Sequence, residues 1–268
     1  MTPRELSVCI AGATGWTGRA LVRAVLDAPD LELGSAVARS AAGRDLGEAL
    51  DGEPLGVPVH GTVAEALEGI DVLVDYTSAT AVKGNALAAV EAGVAVVIGS
   101  SGLTAADFDE IDAAARGRSV GVLASGNFSL TAAMCQVAAL LAARHLAHWE
   151  VIDYASADKP DVPSGTAHEL AERLAEVRRP EAGYPIADLH GPQEARGATV
   201  AGSQVHSVRL PSFVVSTEVV FAGPDERLTI RHDAGGTPGP YVEGTLLAVR
   251  RVPELVGLTR GLDTLLLG

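Results

Sequence analysis

Aromatic residues are scarce in this 268-residue chain: four Phe, four Tyr and two Trp make up 4% of it. The core must therefore be built mainly from Ala, Val and Leu, within the 47% of residues that are hydrophobic. Positive charge is also short. Lys and Arg number 20 against 34 Asp and Glu, a formal net charge of −14. So acidic a surface argues against a nucleic-acid partner, whose phosphates need a basic face, although it leaves room for a local basic pocket. Only two cysteines occur. Cys9 lies in an apolar run and Cys135 in an Ala/Leu-rich stretch, so both are expected as buried, reduced thiols. Long apolar runs are missing too: the stretch from Leu130 to Leu146 is interrupted by Gln136 and ends in Arg144 and His145. It reads as a core helix and no membrane span is expected. No apolar segment precedes the first strand, so no signal peptide is expected and the cytoplasm is the expected compartment. No internal repeat, low-complexity segment or metal site is expected.

What is present is an alternation. Leu6–Ala11, Leu33–Ala38, Val72–Tyr76, Ala95–Ile98 and Val120–Ala124 are short apolar runs that read as buried parallel strands. Ala/Leu-rich stretches with helical spacing, Thr80–Glu91 and Ala105–Arg116, lie between them. The pattern predicts an α/β fold with a parallel sheet. After Asn127 it changes to a long helix, a second helix over Ser164–Arg178, and alternating segments "QVHSVRL", "STEVVF" and "RLTIRHD" that read as antiparallel strands. The expected division is a Rossmann dinucleotide-binding domain over residues 1–126 and an α+β substrate and oligomerisation domain over 127–240. A closing segment, 241–268, is expected to pack back on the first domain.

"VCIAGATGWTGRAL" places Gly12, Gly15 and Gly18 between the first strand and a helix. A pyrophosphate needs this arrangement: a tight turn, close backbone approach, and tight helix–strand packing, with helix N–H groups aimed at the anion. Gly12, Thr14, Gly15, Trp16, Thr17 and Gly18 are the candidate contacts. A glycine turn that only packs well has the same residues. At the end of the second strand, where a carboxylate would hold a ribose 2′-hydroxyl, stand Ala38, Arg39 and Ser40, with Arg44 close behind. Guanidiniums without a carboxylate favour a 2′-phosphate, hence NADPH with NADH possible; solvated loop charges are the alternative.

The stretch "DYASADKPDVPSGTAHEL", Asp153 to Leu170, carries a second anion cradle. Lys159 precedes Pro163-Ser164-Gly165-Thr166, which opens a helix with backbone N–H groups and two hydroxyls. Tyr154 is the only conventional proton donor in the residues just before the lysine.

With these motifs collected, the chain resembles the dihydrodipicolinate (4-hydroxy-tetrahydrodipicolinate) reductases, the actinobacterial kind above all. The resemblance covers essentially the whole chain. It rests on the glycine triad, "DVLVDYTSATAV", "IGSSGLT", "GNFSL", "PSGTA", "ARGATVAGSQVHSVRL" and "LTIRHD", in that order. It implies that Thr77, Gly99, Ser100, Ser101 and Gly102 touch the nicotinamide half of the cofactor. Asn127 and Phe128 would belong to the cofactor-side hinge into the substrate domain. Ser164, Gly165, Thr166, Lys159 and Arg209 would hold substrate carboxylates, and the second sheet would build a homotetramer.

The same resemblance exposes a departure. Where the family has Glu-x-His-His-x-His before the lysine, this chain has Ala155, Ser156 and Asp158 in place of the histidines, the first of which is the family's proposed acid. No histidine stands near Ser216 or Thr217 either. An iminium arrives already protonated, so the loss of an acid slows reduction by ~10²–10⁴ without abolishing it. Lys159, Tyr154 or water could stand in. The first expectation is a nicotinamide-dependent reductase acting on a C=N or conjugated C=C carboxylate altered from tetrahydrodipicolinate. Genuine tetrahydrodipicolinate reduction, an amine or amino-acid dehydrogenase, and a non-catalytic nucleotide-binding protein remain as alternatives.

Overall fold

The computed structural model describes residues 5–267. The chain forms two compact units, Met1–Leu130 with Pro238–Gly268, and Thr131–Thr237. In the first unit the elements run β1 (Leu6–Ala11), α1 (Trp16–Asp27), β2 (Leu31–Val37), α2 (Leu46–Ala49), β3 (Val59–His60), α3 (Val63–Ala66), β4 (Val72–Asp75), α4 (Val82–Glu91), β5 (Ala95–Ile98), α5 (Ala105–Arg118) and β6 (Gly121–Ala124). The long helix α6 (Leu130–Ala143) opens the second unit, which continues through β7 (His148–Ala155), α7 (Gly165–Val177), β8 (Ala198–Val200), β9 (Ser203–Arg209), β10 (Val215–Ala222) and β11 (Arg227–Asp233). The chain then returns to the first unit as α8 (Gly239–Arg251), β12 (Gly257–Arg260) and α9 (Asp263–Leu267).

Seven parallel strands in the order β12-β6-β5-β4-β1-β2-β3 make the first sheet. Every residue of β4, β5 and β6 is buried, as strands covered on both faces require. The order reverses between β1 and β4. In a doubly wound sheet that switch point opens a crevice beyond the carboxyl ends of the strands. The α/β class and Rossmann-type sheet are as the alternating pattern predicts.

The second sheet has the order β11-β10-β7-β9-β8. It is mixed, not antiparallel throughout: β7 and β9 run parallel, because α7 and the segment after it form the crossover that parallel neighbours need. Along β7 burial alternates, with Trp149, Val151, Asp153 and Ala155 inward. Trp149 and Val151 pack with Val205, Val219 and Phe221 against Ala139 and Ala143 of α6 and Leu170 and Leu174 of α7. Each fully buried large side chain there stabilises the unit by about 1.5–3 kcal/mol. β7 was not anticipated as a strand, nor were β3, β8 and β12.

Cys9 is buried and burial pushes its thiol up to about 12. Cys135 is only partly buried, contrary to expectation, because its turn of α6 lies at the rim of the core; burial still raises it to about 11. Among the described residues no helix is long and apolar enough to cross a membrane, and no cluster of metal-ligating side chains occurs.

Candidate functional site

Gly12 has φ +85°, the left-handed region where a side chain is strained, and a Cβ there would lie 2.2 Å from the backbone oxygen of Tyr76. A Cβ on Gly18 would lie 2.1 Å from the oxygen of Gly12, so α1 sits hard against the turn. Gly15 caps α1 without a side-chain hydrogen bond, which leaves the first-turn N–H groups of Trp16, Thr17 and Gly18 for an anion. Thr14 closes the loop, its oxygen accepting from Arg19 Nε at 3.0 Å. This is a cradle that side chains would fill, and it fits a dinucleotide pyrophosphate.

Beside it, β2 ends at Val37, and after buried Ala38 a short turn presents exposed Arg39 and Ser40. The Arg44 guanidinium donates to the oxygen of Glu48 at 2.7 Å, near the end of α2. Of the two arginines, Arg39 lies in the turn that directly follows β2.

Asp75, the fully buried last residue of β4, organises the loops that follow β4 and β5. Its Oδ1 accepts from Thr77 N (3.0 Å), Thr77 Oγ1 (2.8 Å) and Ser100 Oγ (2.6 Å), and its Oδ2 from Asn85 Nδ2 (2.7 Å). Thr77 and Ser100 are thus brought together, with Ser101 and Gly102 in the loop beyond. Gly102 has φ +105°, and a Cβ on it would lie 2.3 Å from the Ala79 Cβ. Gly99 must be glycine for space: a Cβ would meet the Tyr76 ring at 2.2 Å. Tyr76 also packs edge-on against Phe128, ring centres 6.2 Å apart. The Thr245 hydroxyl donates to the oxygen of Tyr241 (2.7 Å), so in the 2.9 Å contact with Tyr76 the phenol is the donor. Burial holds that phenol well above its ordinary pKa. Asn127 accepts the N–H of Ser129 at 2.8 Å and shapes the turn into α6. Asp75, Tyr76 and Asn85 were missed from the sequence. The hint was the acidic residue closing the apolar run of "VLVD".

In the second unit the corresponding organiser is Asp153. Its Oδ1 accepts from Ser164 Oγ (2.6 Å), and its Oδ2 from Ser164 N (2.9 Å), Ser207 Oγ (3.1 Å) and Arg209 Nη2 (2.8 Å). Ser164 N-caps α7 and is only 1% exposed. Ser164 was expected at a substrate carboxylate; in this structure its hydroxyl is turned inward and bonded to Asp153. Gly165 is exposed and Thr166 half-buried in the first turn of α7. Lys159 Nζ lies 2.8 Å from Asp161 Oδ1. Burial raises the Asp161 carboxyl, the lysine contact lowers it, and the net shift is downward.

Tyr154 does not join this group. Side chains alternate along a strand, so the phenol stands on the sheet face opposite Asp153, donating to Glu218 Oε2 at 3.2 Å with Arg231 over its ring at 4.8 Å. Burial, then Glu218, raises its pKa. It was expected as an acid at the turn; the structure places its phenol against Glu218 and Arg231 instead. The Ser156 hydroxyl donates to Asp158, so two of the three residues in the histidine positions are bonded to each other.

Both halves of the chain match models of one family. Residues 6–128 match "Dihydrodipicolinate reductase, N-terminus" and residues 127–265 match "Dihydrodipicolinate reductase, C-terminus". A 4-hydroxy-tetrahydrodipicolinate reductase of Desulfitobacterium hafniense is 39% identical over 267 residues, covering 98% of this chain and 99% of the relative. One from Thermosynechococcus vestitus is 37% identical, covering 97% of each. Among solved structures, a dipicolinate-bound dihydrodipicolinate reductase from Paenisporosarcina sp. TG-14 superposes with TM-score 0.79 at 28% identity, over 97% of this chain and 99% of that one. GenD2 from gentamicin A biosynthesis, in complex with NAD, shares the fold, with TM-score 0.67 at 17% identity over 98% and 90%.

Proposed function

The chain belongs to the dihydrodipicolinate reductase family, an NAD(P)H-dependent oxidoreductase family, and we propose that it reduces tetrahydrodipicolinate or a close cyclic imino acid. The observation that carries this is the joint retention of the glycine cradle and the lysine-plus-helix turn in a chain 39% identical to a relative of that name along nearly its whole length. A bound reduced nicotinamide supplies the hydride. Arg39 would favour NADPH over NADH, since no carboxylate stands beside it to repel a 2′-phosphate. The backbone N–H groups of Gly165 and Thr166, the Thr166 hydroxyl and the Lys159 ammonium would hold a substrate carboxylate. With Tyr154 on the far sheet face, Lys159 is the side chain at this turn able to deliver a proton; an iminium that arrives protonated needs none.

Ala155, Ser156 and Asp158 favour a second reading, a substrate altered from tetrahydrodipicolinate. A methyl, a bonded hydroxyl and a negative charge stand where the family has imidazoles, and a second substrate carboxylate would lack a cationic partner there. An imine with one carboxylate fits that surface better. Steady-state NADPH oxidation with freshly generated tetrahydrodipicolinate and with a monocarboxylate cyclic imine decides between them. The first reading expects the dicarboxylate to be turned over with the higher kcat/KM. The reverse order transfers the assignment to the second, and no oxidation with either removes both. The expected homotetramer is proposed on family grounds and is checked by light scattering.

A further inference from the structure

Asp153 is a fully buried carboxylate for which hydride transfer has no use. It occupies an inward slot of β7, two residues beyond Val151, where packing alone would select another apolar side chain. Burying a carboxylate is costly unless its lone pairs are met, and here four donors from three residues, on the α7 N-terminus and β9, meet them. Two come from Ser164, which fixes the start of α7. One comes from Ser207 on β9. The fourth is Arg209, whose Nη2 also donates to the oxygen of Asp161 at 2.7 Å while Nη1 donates to the oxygen of Val208 at 3.0 Å.

The consequence is geometric. The first turn of α7, with Gly165 and Thr166, hangs on Asp153 through Ser164. The segment that carries Lys159 hangs on the same carboxylate through Arg209 and the Asp161 carbonyl. Both halves of the cradle are referenced to one buried group. Arg209 itself is 15% exposed at its side chain, and its charge is already matched by Asp153. A substrate carboxylate that took Arg209 would have to take it from a buried anion.

We infer that Asp153 and Arg209 together are positioning residues that set Lys159 and the α7 N-terminus in register, and that Arg209 acts through Asp153 and the Asp161 carbonyl instead of touching the substrate. This rests on the reading of Lys159, Gly165 and Thr166 as the carboxylate cradle, and it reverses the role that resemblance to the family implies for Arg209.

The test compares a dicarboxylate with a monocarboxylate probe, pyridine-2,6-dicarboxylate and pyridine-2-carboxylate, titrated calorimetrically into the full chain with NADPH present. A positioning pair serves every carboxylate alike. Asp153→Asn and Arg209→Met should therefore weaken both probes by the same factor, about tenfold or more. The double variant should be no weaker than the worse single one, and Arg209→Lys should recover part of the loss. NADPH affinity should stay within about twofold throughout, inside the tolerance for independent sites. Arg209→Met weakening the dicarboxylate alone, or single effects that add in the double variant, would make Arg209 a direct ligand and overturn the inference. Should Asp153→Asn fail to fold, Ser164→Ala removes one anchor without burying a lone charge. It should weaken both probes equally, and no effect on either overturns the inference. A wild-type chain that binds neither probe, or Lys159→Met with both affinities unchanged, removes the cradle itself; that failure is distinct from the failure of the positioning pair.

Discussion

Asp153 and Tyr154 are adjacent on β7 and stand on opposite faces of its sheet, one bonded to Ser164 beneath α7, the other to Glu218 on β10. No rotamer change exchanges them, because a strand turns successive side chains through half a revolution. The turn thus keeps Lys159 and the α7 N-terminus while the phenol stands on the other face of the sheet.

Tyr154→Phe is therefore expected to leave kcat with the native substrate within about twofold, far from the ~10²–10⁴ that a general acid contributes. Stability should fall by about 0.5–1.5 kcal/mol for the lost contact with Glu218, measured by urea unfolding. A hundredfold fall in kcat would put the phenol back in the chemistry.

Lys159 faces a competitor in Asp161. Lys159→Met should raise KM for a carboxylate substrate by about ten- to a hundredfold, the range of ~1.5–3 kcal/mol for hydrogen bonds to charged groups. Asp161→Asn should lower KM, since it frees the ammonium from a 2.8 Å partner. Steady-state kinetics on both variants check the pair. A KM that rises in Asp161→Asn would mean that the carboxylate helps to hold the substrate loop.

How much of this was legible in the sequence follows the range of the forces. The glycine triad was readable because each glycine answers a local demand: Gly12 a positive φ, Gly18 the approach of α1 to its own turn. The organiser of the loops after β4 and β5 was not. Asp75 gathers Ser100 and Asn85 from 25 and 10 residues away, and no spacing rule announces that. Asp153 was hidden for another reason. "HWEVIDYA" puts a carboxylate in the third inward position of a strand, which breaks the apolar period by which a strand is recognised. Without β7 the faces of Asp153 and Tyr154 could not be assigned. The direction of β9 depends on the crossover through α7, a property of topology that its own residues do not encode.

His232 gives the second unit a pH response. It is 9% exposed on β11, and burial lowers its pKa, with the charge of Asp233 opposing. A histidine whose folded pKa is depressed binds its proton more readily when unfolded. Stability is therefore full above the ordinary imidazole value of about 6.5 and falls as the pH drops from there toward the folded pKa. Unfolding of wild type and His232→Gln between pH 5 and 7.5 should show the acid-side slope reduced in the variant. Equal slopes would assign the response elsewhere.

Arg39→Ala should weaken NADPH more than NADH. Arg39 sits exposed in the turn after β2, while Arg44 is held by the Glu48 carbonyl. The preference should also shrink as salt is raised, because an exposed phosphate–guanidinium contact is screened over a Debye length of ~8–10 Å. Titrations of both cofactors at two ionic strengths read this directly. Wild-type protein that binds NADH more tightly than NADPH would refute the assignment.

Trp16 should report cofactor binding by itself. The chain has two tryptophans: Trp149 is 5% exposed with its Nε1 bonded to Ser203 Oγ at 3.0 Å, in the core of the second unit. Trp16 is 55% exposed at the first position of α1, next to the N–H groups of the glycine cradle and edge-on to Tyr241 at 6.1 Å. Indole emission overlaps the absorption of a reduced nicotinamide, so NADPH bound at the cradle should quench Trp16 and excite the cofactor. In Trp149→Phe the quench should persist with the same Kd as wild type, and in Trp16→Phe most of it should vanish. Because the edge contact with Tyr241 steadies the indole, Tyr241→Ala should weaken NADPH by about two- to tenfold, the range that loss of an aromatic pair worth ~0.5–1.5 kcal/mol allows. Tyr241→Phe should change little: the atom of Tyr241 that Thr245 bonds is its backbone oxygen, which the substitution keeps. If Trp16→Phe retains the full quench, the dinucleotide lies away from α1, and the cradle reading of Gly12, Gly15 and Gly18 fails with it.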